Sequence, residues 1–232
     1  MQQAGLTPDA WQAQVVRSQV SRKLLLCCRQ SGKSTTTAAL ALATALREPG
    51  SLVLLLSPSL RQSGELFRKV MEHYRALATP LPTQAESALR LELSNGSRLV
   101  SLPGTEGTVR GYSGVRLLVI DEAARVADEL YYSVRPMLAV SGGRLIALST
   151  PFGKRGWLYK EYTEGENWER IKVTAEQCPR ISKAFLAEER RTLPPLWYQS
   201  EYMCEFVDTI DQVFASAFVQ AAISADVQPL FQ

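Results

Sequence analysis

Gly32-Lys33-Ser34 places a backbone without a side chain, a primary amine and a hydroxyl in succession. With the preceding Cys27-Cys28-Arg29-Gln30-Ser31 it has the order and spacing of a phosphate-binding loop. Gly32 lets the backbone turn closely around phosphate, and the loop N–H groups and the following helix start attract the anion. Lys33 reaches the terminal phosphates, Ser34 offers an oxygen to Mg²⁺, and Thr35 supports the same helix end. Cys27 stands where such loops usually begin with glycine, so the entry departs from the pattern while the phosphate-binding end is complete. Downstream, Leu117-Leu118-Val119-Ile120 is an apolar run that ends on Asp121-Glu122. A buried strand would deliver Asp121 opposite the loop, where its carboxylate can hold Mg²⁺ through water. Glu122 then lies beside the γ-phosphate, where a carboxylate can orient and partly deprotonate water. The chemistry these residues could do together is hydrolysis of ATP with Mg²⁺. Taken singly, each motif has a plainer reading: a strand-to-helix turn that contains Gly-Lys-Ser, and a helix start that favours acids. Their joint presence weighs against both.

The elements around these residues alternate. Residues 7–20 form an amphipathic segment, with Thr7 as its cap and Pro8 at the first helical position. Residues 23–28 are a short apolar strand, and residues 35–46, rich in Ala and Leu, a helix. The unit repeats as strand 51–56, a Ser-Pro-Ser turn and helix 60–77. Residues 89–93 and 98–102 flank Ser94-Asn95-Gly96-Ser97, a hairpin signal that interrupts the parallel series. Strands 115–120 and 144–148 are again short apolar runs, as a parallel sheet between helices requires. Residues 168–173 add a strand, and 182–191 with 196–205 read as a charged helical pair. The expected fold is α/β: a P-loop core over residues 1–175, with a β-hairpin insertion, and a small helical lid or linker over 176–232.

Composition narrows the class further. A chain of 232 residues, 46% hydrophobic and 21% charged, can bury a core without disulfides, and its net charge of +3 neither demands nor excludes nucleic acid. Cys27, Cys28, Cys178 and Cys204 contain no CxxC pair, and His73 is the only histidine, which argues against zinc. Cys27 and Cys28 read as small buried residues of a reducing compartment, which points to the cytoplasm. No signal-peptide pattern and no run of membrane-spanning length is present, so no membrane is expected.

Trp11-Gln12, Arg29-Gln30-Ser31-Gly32-Lys33-Ser34, Ile120-Asp121-Glu122-Ala123-Ala124 and Leu148-Ser149-Thr150-Pro151 together resemble the ATPase domain of tailed-phage large terminases, over most of the chain. The resemblance implies a RecA/ASCE-like sheet sandwiched by helices. It also implies a pentameric ring on a viral portal that couples ATP turnover to pushing double-stranded DNA into a procapsid, in the cytoplasm of the infected bacterium, with a small terminase subunit as a further partner. By similarity Gln12 reads the adenine edge, since a carboxamide both donates and accepts. Trp11 packs near the base or is a core aromatic. Arg29 resembles the mobile loop arginine that contacts the γ-phosphate, alongside Gln30 and Ser31 of the same loop. Ser149 and Thr150 match the motif that senses loss of that phosphate, or else are a turn at a strand end. Arg110, in a Gly-rich stretch, resembles the arginine that enters a neighbouring subunit's site, with Arg125 as the fallback.

DNA contact is the least legible part: Arg61, Arg68, Lys69, Arg90, Arg98, Lys154 and Arg155 could meet phosphates or be ordinary surface charges. Complete large terminases continue into a metal-dependent nuclease, and only Asp208, Asp211 and Asp226 follow Phe206 here. A linker, and a nuclease on a separate domain or subunit, is therefore expected. Two other functions compete with the packaging motor: a helicase or translocase of another P-loop family, and a nucleotide-gated DNA-binding module with little turnover.

Overall fold

The computed structural model describes residues 1, 5–104, 109, 111–208 and 222. Eight strands form one sheet in the order β3-β4-β5-β2-β6-β7-β1-β8. From β5 (Arg98–Pro103) through β2 (Leu52–Ser57), β6 (Val115–Asp121), β7 (Arg144–Ser149) and β1 (Arg22–Cys27) to β8 (Glu169–Val173) every pairing is parallel. β4 (Arg90–Leu93) and β3 (Thr83–Glu86) continue it antiparallel at the edge. The expected hairpin is thus β4–β5, with Gly96 in the left-handed region its turn requires, and β5 doubles as a member of the parallel series.

The two-residue period of each strand sorts its side chains into two cores. Val53 and Leu55 of β2, with Leu117 and Val119 of β6, face the core that holds α2 (Lys33–Arg47) and α3 (Leu60–Arg75). Leu54, Leu56, Leu118 and Ile120 face the other core, with Leu130 and Tyr131 of α4 (Asp128–Val134) and Trp157 of α5 (Gly156–Thr163). Tyr131 and Trp157 stack at 3.9 Å between centroids, and Trp157 donates its indole N–H to the Val126 carbonyl. Leu186 of α6 (Lys183–Thr192), with Cys178 and Cys204, is buried in the same core as β1 and α2.

Several boundaries differ from expectation. α1 spans Ala10–Arg17 with Asp9, not Thr7, at its cap, because Gln12 reaches back to accept the Asp9 N–H. The second helix of the charged pair, α7, is Pro195–Glu201 rather than 196–205. α4 is too short to display a helical period, and β3 is exposed at every residue, so neither carried an apolar pattern to be read. Among the described residues no helix is long and apolar enough to cross a membrane.

Candidate active site

The site lies at the carboxyl ends of β1, β7 and β6, the end where parallel sheets open toward a ligand. Cys27 is the last residue of β1 and fully buried, and Cys28 extends the pairing by donating its N–H to the Val173 carbonyl. The position of the usual first glycine is therefore strand backbone here, with its thiol in the core. The left-handed turns fall instead at Gln30 (φ 60) and Gly32 (φ 87). Gly32 caps α2, its carbonyl accepting from the Thr36 N–H at 3.0 Å and the Thr36 hydroxyl at 2.9 Å. Lys33 and Ser34 open that helix.

Lys33 is buried and its Nζ stands 3.6 Å from Glu122 Oε1. The two motifs thus meet across β7, which separates β1 from β6. Glu122 takes the left-handed conformation (φ 47), a strained choice for a non-glycine residue that turns the chain directly after Asp121. Its N–H donates to Asp121 Oδ1 at 3.0 Å. Asp121 is 7% exposed; burial, then the neighbouring Glu122, push its carboxyl up to about 6, against the pull of Lys33. The buried Asp121 carboxylate, beside the half-buried Glu122 and facing a helix start that carries Ser34, fits a hard divalent cation such as Mg²⁺.

Ser149 and Thr150 are buried at the end of β7, and the Ser149 hydroxyl accepts the Ala124 N–H at 3.2 Å, tying that strand to the turn after Glu122. Gln12 is buried, and a Cβ on Gly32 would lie only 2.8 Å from its Nε2, so helix α1 rests on the phosphate loop. Trp11 is half-buried against the core of β1 and α2, its indole N–H without a partner among the described residues. Thr35 gives its carbonyl to His73, 3.1 Å away on α3. Arg29, expected at the γ-phosphate, is paired with Glu201 of α7 at 2.6 Å. Arg125 lies over the Phe152 ring at 4.2 Å rather than pairing with the acids beside it in sequence. Arg110 lies outside the described residues. Of the basic residues considered for DNA, Arg68 is paired with Glu65 and Glu72, Arg90 with Glu92, and Lys154 with Asp208.

Three residues at the site escaped the sequence reading. Glu201 is the buried partner of Arg29, Ser200 donates to the Pro151 carbonyl at 3.2 Å, and Arg180 bridges Asp9 and the Ser31 carbonyl. All come from the charged C-terminal helices and the turn before them, where nothing local distinguishes a site residue from a solvated one.

A phosphate loop after the first strand, a second strand that ends in Asp-Glu and a third between them define an α/β P-loop NTPase fold. The family model described as terminase large subunit, T4likevirus-type, N-terminal, matches residues 24–218, and the chain belongs to that family. It is 25% identical over 248 residues to the terminase large subunit of Thermus phage G20c, covering 91% of this chain and 51% of that protein. With the terminase large subunit of Escherichia phage T5 the identity is 28% over 232 residues, with the same coverage. The chain spans about half the length of these curated relatives. Among solved structures, the Thermus phage P74-26 large terminase ATPase domain superimposes with a TM-score of 0.77 at 22% identity, covering 89% of this chain and 96% of that one. The large terminase of another thermophilic bacteriophage, solved in complex with ADP, gives a TM-score of 0.70 at 15% identity, covering 86% and 54%.

Proposed function

We propose that this chain binds and hydrolyses ATP as the motor part of a large terminase that drives double-stranded DNA into a procapsid. The observation that carries the reading is Lys33 within 3.6 Å of Glu122, which brings a phosphate-binding amine and a general-base carboxylate to one point above the sheet. Membership of the terminase family supports nucleotide as the ligand, as do the complexes of the second thermophilic phage's terminase with ADP and ATP-γ-S. On ATP binding, Lys33 exchanges Glu122 for phosphate oxygens, and the loop N–H groups take up the remaining charge. Glu122, so released, orients a water for attack and accepts its proton. Ser34 and Asp121 would hold Mg²⁺, which neutralises charge developing on the phosphates. Gln12 reads adenine.

By resemblance, Arg110 of a neighbouring subunit supplies a further positive charge in the ring, and portal protein and a small terminase subunit are partners. Ser149 and Thr150 pass the loss of phosphate onward. Residues 176–232 act as a lid or linker, since α7 touches the loop through Glu201 and the turn after Thr150 through Ser200. A helicase shares the nucleotide chemistry, but the family match favours packaging.

The test is ATP turnover at rising protein concentration, with and without double-stranded DNA, for the unaltered chain, Glu122→Gln and Lys33→Ala. DNA-stimulated turnover lost in both variants is expected. An unaltered protein that oligomerises and yet releases no phosphate would overturn the motor, and strand unwinding would replace it with a helicase.

A further inference from the structure

The turn that follows β8 sends one arginine back across the molecule. Arg180 Nη1 and Nη2 donate to Asp9 Oδ1 and Oδ2 at 3.0 and 2.8 Å, a bidentate pair, and Nη2 also donates to the Ser31 carbonyl at 2.8 Å. The segment that delivers it is anchored at the end of β1, just before the loop, for Cys178 Sγ lies 3.7 Å from Cys28 Sγ with both thiols buried. At the start of α1, Asp9 and Gln12 form a capping box in which the Gln12 side chain accepts the Asp9 N–H at 2.9 Å, and the carboxylate of this same Asp9 is the one that Arg180 holds.

The carbonyl that Arg180 holds belongs to the same peptide group as the N–H of Gly32. In a planar trans peptide the C=O and the N–H point in opposite directions, so fixing one fixes the other. This peptide needs fixing. It joins Ser31 to a glycine at φ 87, flanked by a second left-handed residue, Gln30, and glycine backbone rotates at little steric cost. Gln12 and Arg180 converge on it from outside: a Cβ at Gly32 would lie 2.8 Å from Gln12 Nε2 and 3.6 Å from Arg180 Nη2.

We propose that Arg180 is a positioning residue of the nucleotide site, which sets the Ser31–Gly32 peptide for phosphate and, through Asp9, couples that peptide to the helix that carries Gln12. The proposal rests on the nucleotide-site reading above. Binding of the base against α1 and of phosphate against the loop then reinforce each other, because one guanidinium restrains both. A lysine could supply one donor to Ser31 but could not fork across Asp9 as well.

Calorimetric titration of ADP and of inosine diphosphate into the full chain tests it, with Arg180→Ala, Asp9→Ala, the double variant and Arg180→Lys, and melting of each without nucleotide. Arg180→Ala should bind ADP about tenfold more weakly, the scale of one lost charge-assisted hydrogen bond, and prefer ADP over inosine diphosphate less than the unaltered chain. The double variant should lose no more than Arg180→Ala alone, and Arg180→Lys should recover part of the loss. Folded Arg180→Ala that binds ADP within about twofold of the unaltered chain would overturn the proposal, as would losses that add in the double variant. Should Arg180→Ala fail to fold, the comparison of Arg180→Lys with Asp9→Ala decides: an unchanged adenine preference in both removes the coupling. ADP binding by the unaltered chain and not by Lys33→Ala keeps the nucleotide site whatever Arg180 does, whereas no binding by the unaltered chain removes both.

Discussion

Two lysines are buried at opposite ends of β1, and their partners differ in kind. Lys23, at the amino end, is 1% exposed, and its Nζ donates to the backbone carbonyls of Ser18 at 3.1 Å and Val20 at 2.6 Å. Lys33, past the carboxyl end, is 8% exposed and faces the Glu122 carboxylate at 3.6 Å. Burial lowers the Lys23 pKa, with Glu169 opposing, so its ammonium is retained by what the chain itself offers. Carbonyls that belong to the preceding turn cannot be exchanged without unfolding it. A carboxylate at ion-pair distance can be, because a phosphate brings more charge and the loop N–H groups besides. Burial of a lysine therefore does not mark a site; an exchangeable partner does.

The largest effect is expected at Lys33. Lys33→Ala should lower ATP turnover by about three orders of magnitude or more, since phosphoryl transfer depends on fixed charge at the phosphates. Its melting temperature should hardly move, because Glu122 keeps access to solvent. Lys23→Ala should do the reverse. The Ser18 and Val20 carbonyls lose their donor and the aliphatic stem leaves a void, a loss of about 2–4 kcal/mol of stability, with turnover of the folded protein changed by no more than about twofold. Phosphate release and urea unfolding on both variants check this. Equal destabilisation by the two substitutions would erase the distinction.

Asp121 extends the contrast to a buried carboxyl. It is held at about 6 in the fold against 3.8 for a free side chain. Between those values the folded state binds more protons than the unfolded one, so stability declines as pH rises through that window and stays lower above it. Ionised Asp121 is thus a cost the nucleotide-free protein carries. Asn cannot ionise and can still accept the Glu122 N–H, so Asp121→Asn should stabilise the nucleotide-free chain by about 1–3 kcal/mol at pH 7 while Mg²⁺-dependent turnover collapses. A variant that unfolds in less urea than the unaltered chain would show that Asp121 serves the fold.

The difference between local and distant partners also explains what was legible in the sequence. Gly32-Lys33-Ser34 and Asp121-Glu122 are local patterns whose chemistry follows from spacing, and the apolar runs of β2, β6 and β7 are buried strands whose alternation feeds two cores. Arg29 was legible as a loop residue, but its partner Glu201 is 172 positions away. Arg180 is 149 positions from Ser31, and in sequence it is one more arginine of a charged tail. No periodicity carries such pairings. The cap of α1 failed for a smaller reason: Thr7-Pro8 and Asp9 are both plausible starts, and the reach of Gln12 back to Asp9 decides between them. The departure at Cys27 falls in strand backbone, because strand pairing runs through Cys27 to Cys28 before the left-handed turns begin.

The smallest expected effect tests whether partner chemistry outranks proximity to the site. His73 is buried on α3 with Nε2 3.1 Å from the Thr35 carbonyl, one residue past Ser34. A carbonyl only accepts, so the neutral ring carries its proton on Nε2. Burial lowers its pKa below the ordinary 6.5, with that carbonyl opposing. The unfolded chain therefore takes up a proton at a higher pH than the folded chain does, and stability falls as pH drops through the interval between the two, with no contribution above 6.5. His73 is the only histidine, so His73→Gln should flatten the fall in urea midpoint between about pH 7 and pH 5 while leaving carboxylate contributions in place. Its partner is a fixed carbonyl, like those of Lys23. ADP affinity at neutral pH should accordingly stay within about twofold of the unaltered chain, despite a position one turn from the phosphate loop. A marked change in that affinity would mean that contact with the first turn of α2 is enough to make a buried base part of the site.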